Sequence, residues 1–287
     1  MSKSTVYFVK DVTPEAVVQA FEALGVELPG KVGVKVHSGE PGNQNFIRPA
    51  LWKPAVDAVS GTIVESNTAY DGGRGETQKH WQTMRDHGWT AIAPVDILDE
   101  DGETALPVRD GKHLRDNFVG AHLANYGSVL VLTHFKGHPM GGFGGALKNI
   151  SIGIASSHGK AHIHGAGDDE AKFSAPQDDF LESMAEAAST IVDMFPGRMA
   201  FVNVMANMSV DCDCCAVAED PAIADIGVLA SLDPVALDQA CVDLVYASKD
   251  PGRDHLVERI ESRHGIHTIE EAAARGIGTR EYTLVEL

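Results

Sequence analysis

Apolar and polar positions along the chain alternate between two periods, which predicts an α/β protein with a mostly parallel sheet and flanking helices. A short strand over Val6–Val9 opens the chain, and Thr13–Leu24 reads as a helix capped by Thr13 with Pro14 in its first turn. Lys31–His37 alternates as a strand and Pro49–Ser60 has helical spacing. Gly61–Ser66 is the next strand, and Gln78–His87 a helix stopped by Gly88. Ser128–Thr133 is a continuous apolar run of the kind buried on both faces of a parallel sheet. Asp178–Phe195 places Phe180, Met184, Ala187, Ala188, Ile191 and Met194 on one helical face. Strands follow at Met199–Met205 and Ile226–Ala230, and Asp233-Pro234 starts a helix running to about Tyr246. Two short helices and a strand near Tyr282–Val285 complete the reading as one α/β domain over 1–287, with a division into two α/β halves near residue 125 left open.

Between these elements lies a stretch with little periodicity, Lys136–Gly167, rich in glycine and histidine. In HFKGHPMGGFGGALKN, Gly141, Gly142, Gly144 and Gly145 allow close backbone approach to a cofactor or anion, with Lys136 and Lys148 supplying charge. The same glycines also suit a plain tight turn. His158, His162 and His164 follow: a strand would put His162 and His164 on one face, a helix His158 and His162. Cys212, Cys214 and Cys215 in VDCDCC suit a soft or borderline metal, and an extended backbone would turn Cys212 and Cys214 the same way. Asp233 reads as a cap and Asp238 as a buried polar contact, though Asp225 or Asp238 facing the cysteines stays open. Two polar loops follow predicted strands, SGEPGNQNF with His37, Glu40, Asn45 and Arg48 around it, and ESNTAYDGGRGE. Arg48 and Arg74 are their candidate anion-binding groups.

Composition narrows the classes. At 287 residues, 44% hydrophobic and 22% charged, the chain can bury a full core. A net charge of −18 without a basic patch argues against nucleic acid. No apolar run reaches membrane length, and the N-terminal MSKSTVYFVKDVTPEA has no signal-peptide core, so the expectation is a cytoplasmic protein. Three of the four cysteines fall within four positions, a ligand pattern more than a disulfide framework.

Together, KVGVKVHSGEPGN…IRP, NTAYDGGRG, HFKGHPMGGFGGALKN, CDC and DIGVLASLDPVALDQA resemble the domain-of-unknown-function family DUF362, from Lys31 to the C-terminus. The resemblance brings an iron–sulfur expectation, because family members often carry an inserted ferredoxin-like domain. Here His164 passes straight to the Asp178–Phe195 helix with no such insert, so that expectation rests on Cys212, Cys214 and Cys215. HPMGGFGGALK also resembles, at motif level, the lactate racemase family with its nickel-pincer nucleotide. That likeness implies roles for His138, Lys148 and His164, and for Arg48 in FIRP.

The combined expectation is a metal- or metallocofactor-binding protein, an enzyme acting on a small anionic molecule. His134, His138, His162, His164, Cys212, Cys214 and Cys215 are its candidate metal ligands, and Lys148, His138 and Arg48 its catalytic candidates. Gly141, Gly142, Gly144, Gly145, Lys136 and Arg74 would bind cofactor. Iron, zinc, nickel or an iron–sulfur cluster would suit this set. The rival expectation is a non-catalytic electron-transfer or metal-carrier protein using the cysteines, with an electron-transfer partner. A homo-oligomer is compatible with either.

Overall fold

The computed structural model describes residues 3–287. Its strands are β1 (Ser4–Val9), β2 (Val32–Lys35), β3 (Thr62–Glu65), β4 (Val95–Ile97), β5 (Glu103–Pro107), β6 (Asp116–Gly120), β7 (Ser128–His134), β8 (Lys136–His138), β9 (Gly142–Gly144), β10 (Met199–Met205), β11 (Gly227–Ser231) and β12 (Tyr282–Glu286). The helices are α1 (Pro14–Glu22), α2 (Pro49–Ala58), α3 (Thr77–Asp86), α4 (Ala146–Ile150), α5 (Ser157–His164), α6 (Gln177–Met194), α7 (Pro234–Ala247), α8 (Arg253–Ser262) and α9 (Ile266–Ala274).

Eight strands form one sheet in the order β12-β1-β11-β10-β7-β2-β3-β4. The run from β10 to β4 is parallel, and β11 is antiparallel to both neighbours. The sheet separates two apolar layers. In β7, Val129 and Val131 face the layer built on α4, α6 and α7, while Leu130 and Leu132 face the one built on α1 and α2. With helices on both faces, β7 has no polar side to show, which explains its unbroken apolar sequence.

Local chemistry sets the helix ends. Thr13 caps α1 by accepting from the Ala16 N–H at 3.1 Å, and Asp233 caps α7 by accepting from Val235 and Ala236 at 2.9 and 3.0 Å. The helix expected to reach Ser60 stops at Ala58, because Ser60 takes a left-handed backbone with φ 48°. The segment lacking periodicity is a small antiparallel hairpin, β8–β9, followed by α4 and α5. Strands of three residues and a helix of five are too short to leave a periodic signal. The chain runs from β2 outward to β3 and β4, then returns through β7 on the other side of β2. The carboxyl ends of β2 and β7 therefore flank a topological switch point, where open α/β sheets leave a crevice.

Candidate metal and anion site

Three segments meet at that crevice. Lys35 ends β2 with His37 two residues beyond it, Glu65 ends β3, and His134, Lys136 and His138 follow down β7 and β8. Lys35 and Glu65 are side by side in buried strands and form an ion pair of 2.7 Å. Burial lowers the Lys35 pKa in spite of that partner. Glu65 resists the opposite effect of its own burial: Lys35, His37 and Arg74 hold its carboxyl well below the usual range. It also accepts the Ser38 N–H at 2.7 Å, which fixes the β2 loop. Arg74 reaches across from the β3 loop to Glu40, Nε to Oε2 2.9 Å, and donates from Nη2 to the Tyr70 hydroxyl at 3.0 Å.

The cysteine segment turns back instead of extending, with the Cys215 N–H donating to the Cys212 carbonyl at 2.9 Å. Its shape follows from Asp213. That buried carboxylate pairs with His134 Nδ1 at 3.0 Å and Lys136 Nζ at 3.1 Å, pulling the segment onto β7 and β8. Asn43 donates to the Cys215 carbonyl at 2.8 Å and holds the outer side. One ligand atom each from His138, Cys212 and Cys214 then lies within 4.8 Å of the others. Lys148 Nζ stands 3.9 Å from Cys212 Sγ. A hydrogen bond from Cys214, with the charges of Lys148 and Lys136, lowers the Cys212 thiol pKa well below its ordinary value; Cys214 is raised in turn. His138 is oriented by the backbone, its Nδ1 accepting from the Gly141 N–H at 2.8 Å. Burial takes it down to about 4.

Beside this group opens a cavity of about 250 Å³. Lys35, Arg74, Lys148 and Lys160 line it, together with His138 and His164. Lys160 is buried and donates to the Ala155 and Ser66 carbonyls, with no carboxylate at its Nζ. Burial brings it down to about 7. In a chain of net charge −18, this concentration of cations on one cavity favours an anionic ligand.

The candidate residues divide in this geometry. His138, Lys148, Arg74, His164 and Cys214 line the cavity, and Cys212 lies against its edge. His134 and Lys136 support it through Asp213, and Cys215 stands outside the group of converging ligand atoms. Helix α5 turns His164 inward and His162 to the other side, where His162 joins His158 and Asp169. Arg48 is exposed, stacked 3.9 Å over the Phe46 ring, and is not among the cavity-lining residues.

Gly144 and Gly145 line a small crevice with Lys136 and Lys148. The amides after Gly145 are already committed, with Ala146 and Leu147 donating to Asp238 at 2.7 and 2.9 Å. A Cβ on Gly145 would meet Asp238 at 2.4 Å, and one on Gly142 would meet Gly265 at 2.9 Å, so both glycines answer to close packing. Asp238 is thus the buried polar contact that its helix position suggested, and Asp225 accepts from the Asn207 amide at 2.9 Å.

Lys35, Glu65, Tyr70 and Lys160 were not singled out from the sequence. A signal existed for the first two: a lysine and a glutamate inside apolar strands of a two-faced sheet must find each other or another partner. Lys160 had one as well, four residues before His164 and so on its helical face.

No curated protein matches this chain. Several solved structures resemble it, two of them as follows. One is the lactate racemase apoprotein from Thermoanaerobacterium thermosaccharolyticum, at TM-score 0.45 and 12% identity over 70% of this chain and 50% of that one. The other is a protein from Thermotoga maritima, at TM-score 0.43 and 10% identity over 91% of this chain and 59% of that one. The chain therefore spans between half and three-fifths of either structure's length. The domain-of-unknown-function family matches residues 32–243, most of the chain, and the protein belongs to that family, DUF362.

Proposed function

We propose that this protein holds a metal ion or metal-containing cofactor on Cys212, Cys214 and His138 and acts as an enzyme on a small anionic molecule in the adjoining cavity. The observation that carries this reading is Lys148, whose ammonium lies 3.9 Å from the Cys212 sulfur while also lining the cavity. One residue thus touches both halves of the site.

The donor set fits a borderline metal such as zinc, iron or nickel, since two thiols and one imidazole converge and Cys212 favours its thiolate form. It fits a four-thiolate cluster poorly, with Cys215 outside the group. His138 fits at a cost. Its Nδ1 accepts the Gly141 N–H, so the neutral ring carries its proton on Nε2, and ligation through Nε2 requires giving up the Gly141 bond. A bound divalent metal would polarise an oxygen of the anion or acidify a bound water. The chain's own groups supply the rest. Lys148 and Lys160 offset the anion's charge, and Lys160, at about 7, can take or return a proton near neutral pH. Glu40 and Glu65 hold Arg74 in place, 2.9 and 3.9 Å away.

Binding of small carboxylates and phosphates, measured by calorimetry with and without metal, tests the reading. It expects an anion whose affinity drops at least about tenfold in Lys148→Met. The metal-carrier or electron-transfer alternative through Cys212, Cys214 and Cys215 gains support from the convergence of the Cys212 and Cys214 sulfurs within 4.8 Å. It too loses its metal with the cysteines, but it predicts no anion binding that depends on Lys148 or Lys160.

A further inference from the structure

Helix α5 presents two faces. Lys160 and His164 look into the cavity, while His158 and His162, also four residues apart, look away from it. On that outer face Asp169 folds back from beyond the helix, its Oδ1 2.7 Å from His162 Nδ1 and 3.4 Å from His158 Nε2. One ligand atom from each of the three lies within 4.8 Å of the others.

We propose that His158, His162 and Asp169 form a second metal site, separate from the cavity, for a divalent cation of the zinc class. Three protein ligands with the fourth position open to water is a common zinc arrangement, and the donors are nitrogen and oxygen only. Four further features support it. His158 donates from Nδ1 to Glu103 Oε1 at 2.9 Å, which leaves Nε2, facing Asp169, to ligate once it gives up its proton and supplies the carboxylate–histidine relay that orients metal-bound imidazoles. Phe118 packs against both rings, centroids 4.6 and 5.2 Å away, and limits their rotation. His162 lies in the last turn of α5, where the helix dipole favours positive charge. Finally, the other His/carboxylate groups are less open to a cation: at His113 the place beside Glu182 is taken by Lys112 Nζ at 2.6 Å, and His267 shares that same carboxylate.

The site is independent of the cysteine centre, so the two can fail separately. Zinc binding to a Cys212→Ser/Cys214→Ser chain should leave one equivalent. Adding His158→Ala/His162→Ala should remove it, and Glu103→Gln should weaken it about 10- to 100-fold. If the cysteine variant does not fold, cobalt titration of the otherwise unaltered His158→Ala/His162→Ala protein serves instead. It should bind one equivalent less and keep the absorption of its cobalt–thiolate bonds. A cysteine variant that folds and takes up no zinc overturns the proposal, as does bound metal indifferent to His158 and His162.

Discussion

Lys148 Nζ lies 3.9 Å from Cys212 Sγ, on a five-residue helix whose first two amides are both held by Asp238. The position of this ammonium is thus set by α7, through a carboxylate 92 residues beyond the first of those amides. An opposite charge this near favours the thiolate. Lys148→Met should therefore raise the pKa of the Cys212 thiol. The ultraviolet absorbance of the thiolate, followed against pH, reads this directly. An unchanged titration would mean that Cys214 and Lys136 alone set the thiol.

Lys160 should be a stability cost retained for its chemistry. Burial brings it from 10.5 to about 7, so below pH 7 the folded chain carries a buried charge. Its contribution to stability improves only as pH rises through 7 towards 10.5, where the unfolded chain still binds the proton and the folded one does not. Lys160→Met should stabilise the protein at neutral pH by about 0.5–2 kcal/mol while weakening anion binding at least tenfold, about 1.4 kcal/mol. Chemical denaturation and calorimetry on the same variant check both halves.

Acid should unfold the protein early. Burial takes both His80 and His164 from 6.5 down to about 3. The unfolded chain takes up these protons near pH 6.5, whereas the folded rings stay neutral until about 3. Stability from this source is complete above pH 6.5 and is lost as pH falls from there towards 3. Each ring adds a slope of about 1.4 kcal/mol per pH unit inside that window. Urea midpoints between about pH 7 and pH 5 should show it, with a shallower dependence in His80→Phe.

Gly137 holds the cysteine loop at close range. Its amide donates to the Ser209 carbonyl at 2.8 Å, and a Cβ there would sit 2.3 Å from the Val210 oxygen. Gly137→Ala should push residues 209–214 outward, costing about 1–3 kcal/mol of stability and weakening metal affinity at the cysteines. Metal titration beside a denaturation curve separates this outcome from simple unfolding.

The sheet was legible in the sequence because a two-faced parallel strand such as Ser128–His134 leaves a continuous apolar signature. Thr13 and Asp233 announced their helices for an equally local reason. His138, Lys148 and the cysteines were legible as chemistry because their residue types are unusual in that density. What escaped was long-range. Asp213 reads as one of two aspartates among cysteines, and only the fold shows it pairing with His134 and Lys136. Arg48 and His162 fail to meet the cavity because an exposed stack on Phe46 and the outer face of α5 claim them.

Cobalt titration under anaerobic conditions tests the central claim most directly, because only a sulfur-ligated metal gives the intense thiolate-to-cobalt absorption. The account predicts one equivalent showing this absorption, lost in Cys212→Ser, whereas cobalt at His158, His162 and Asp169 would add none. Cobalt bound without it, or an absorption indifferent to Cys212, would contradict a metal centre on Cys212, Cys214 and His138.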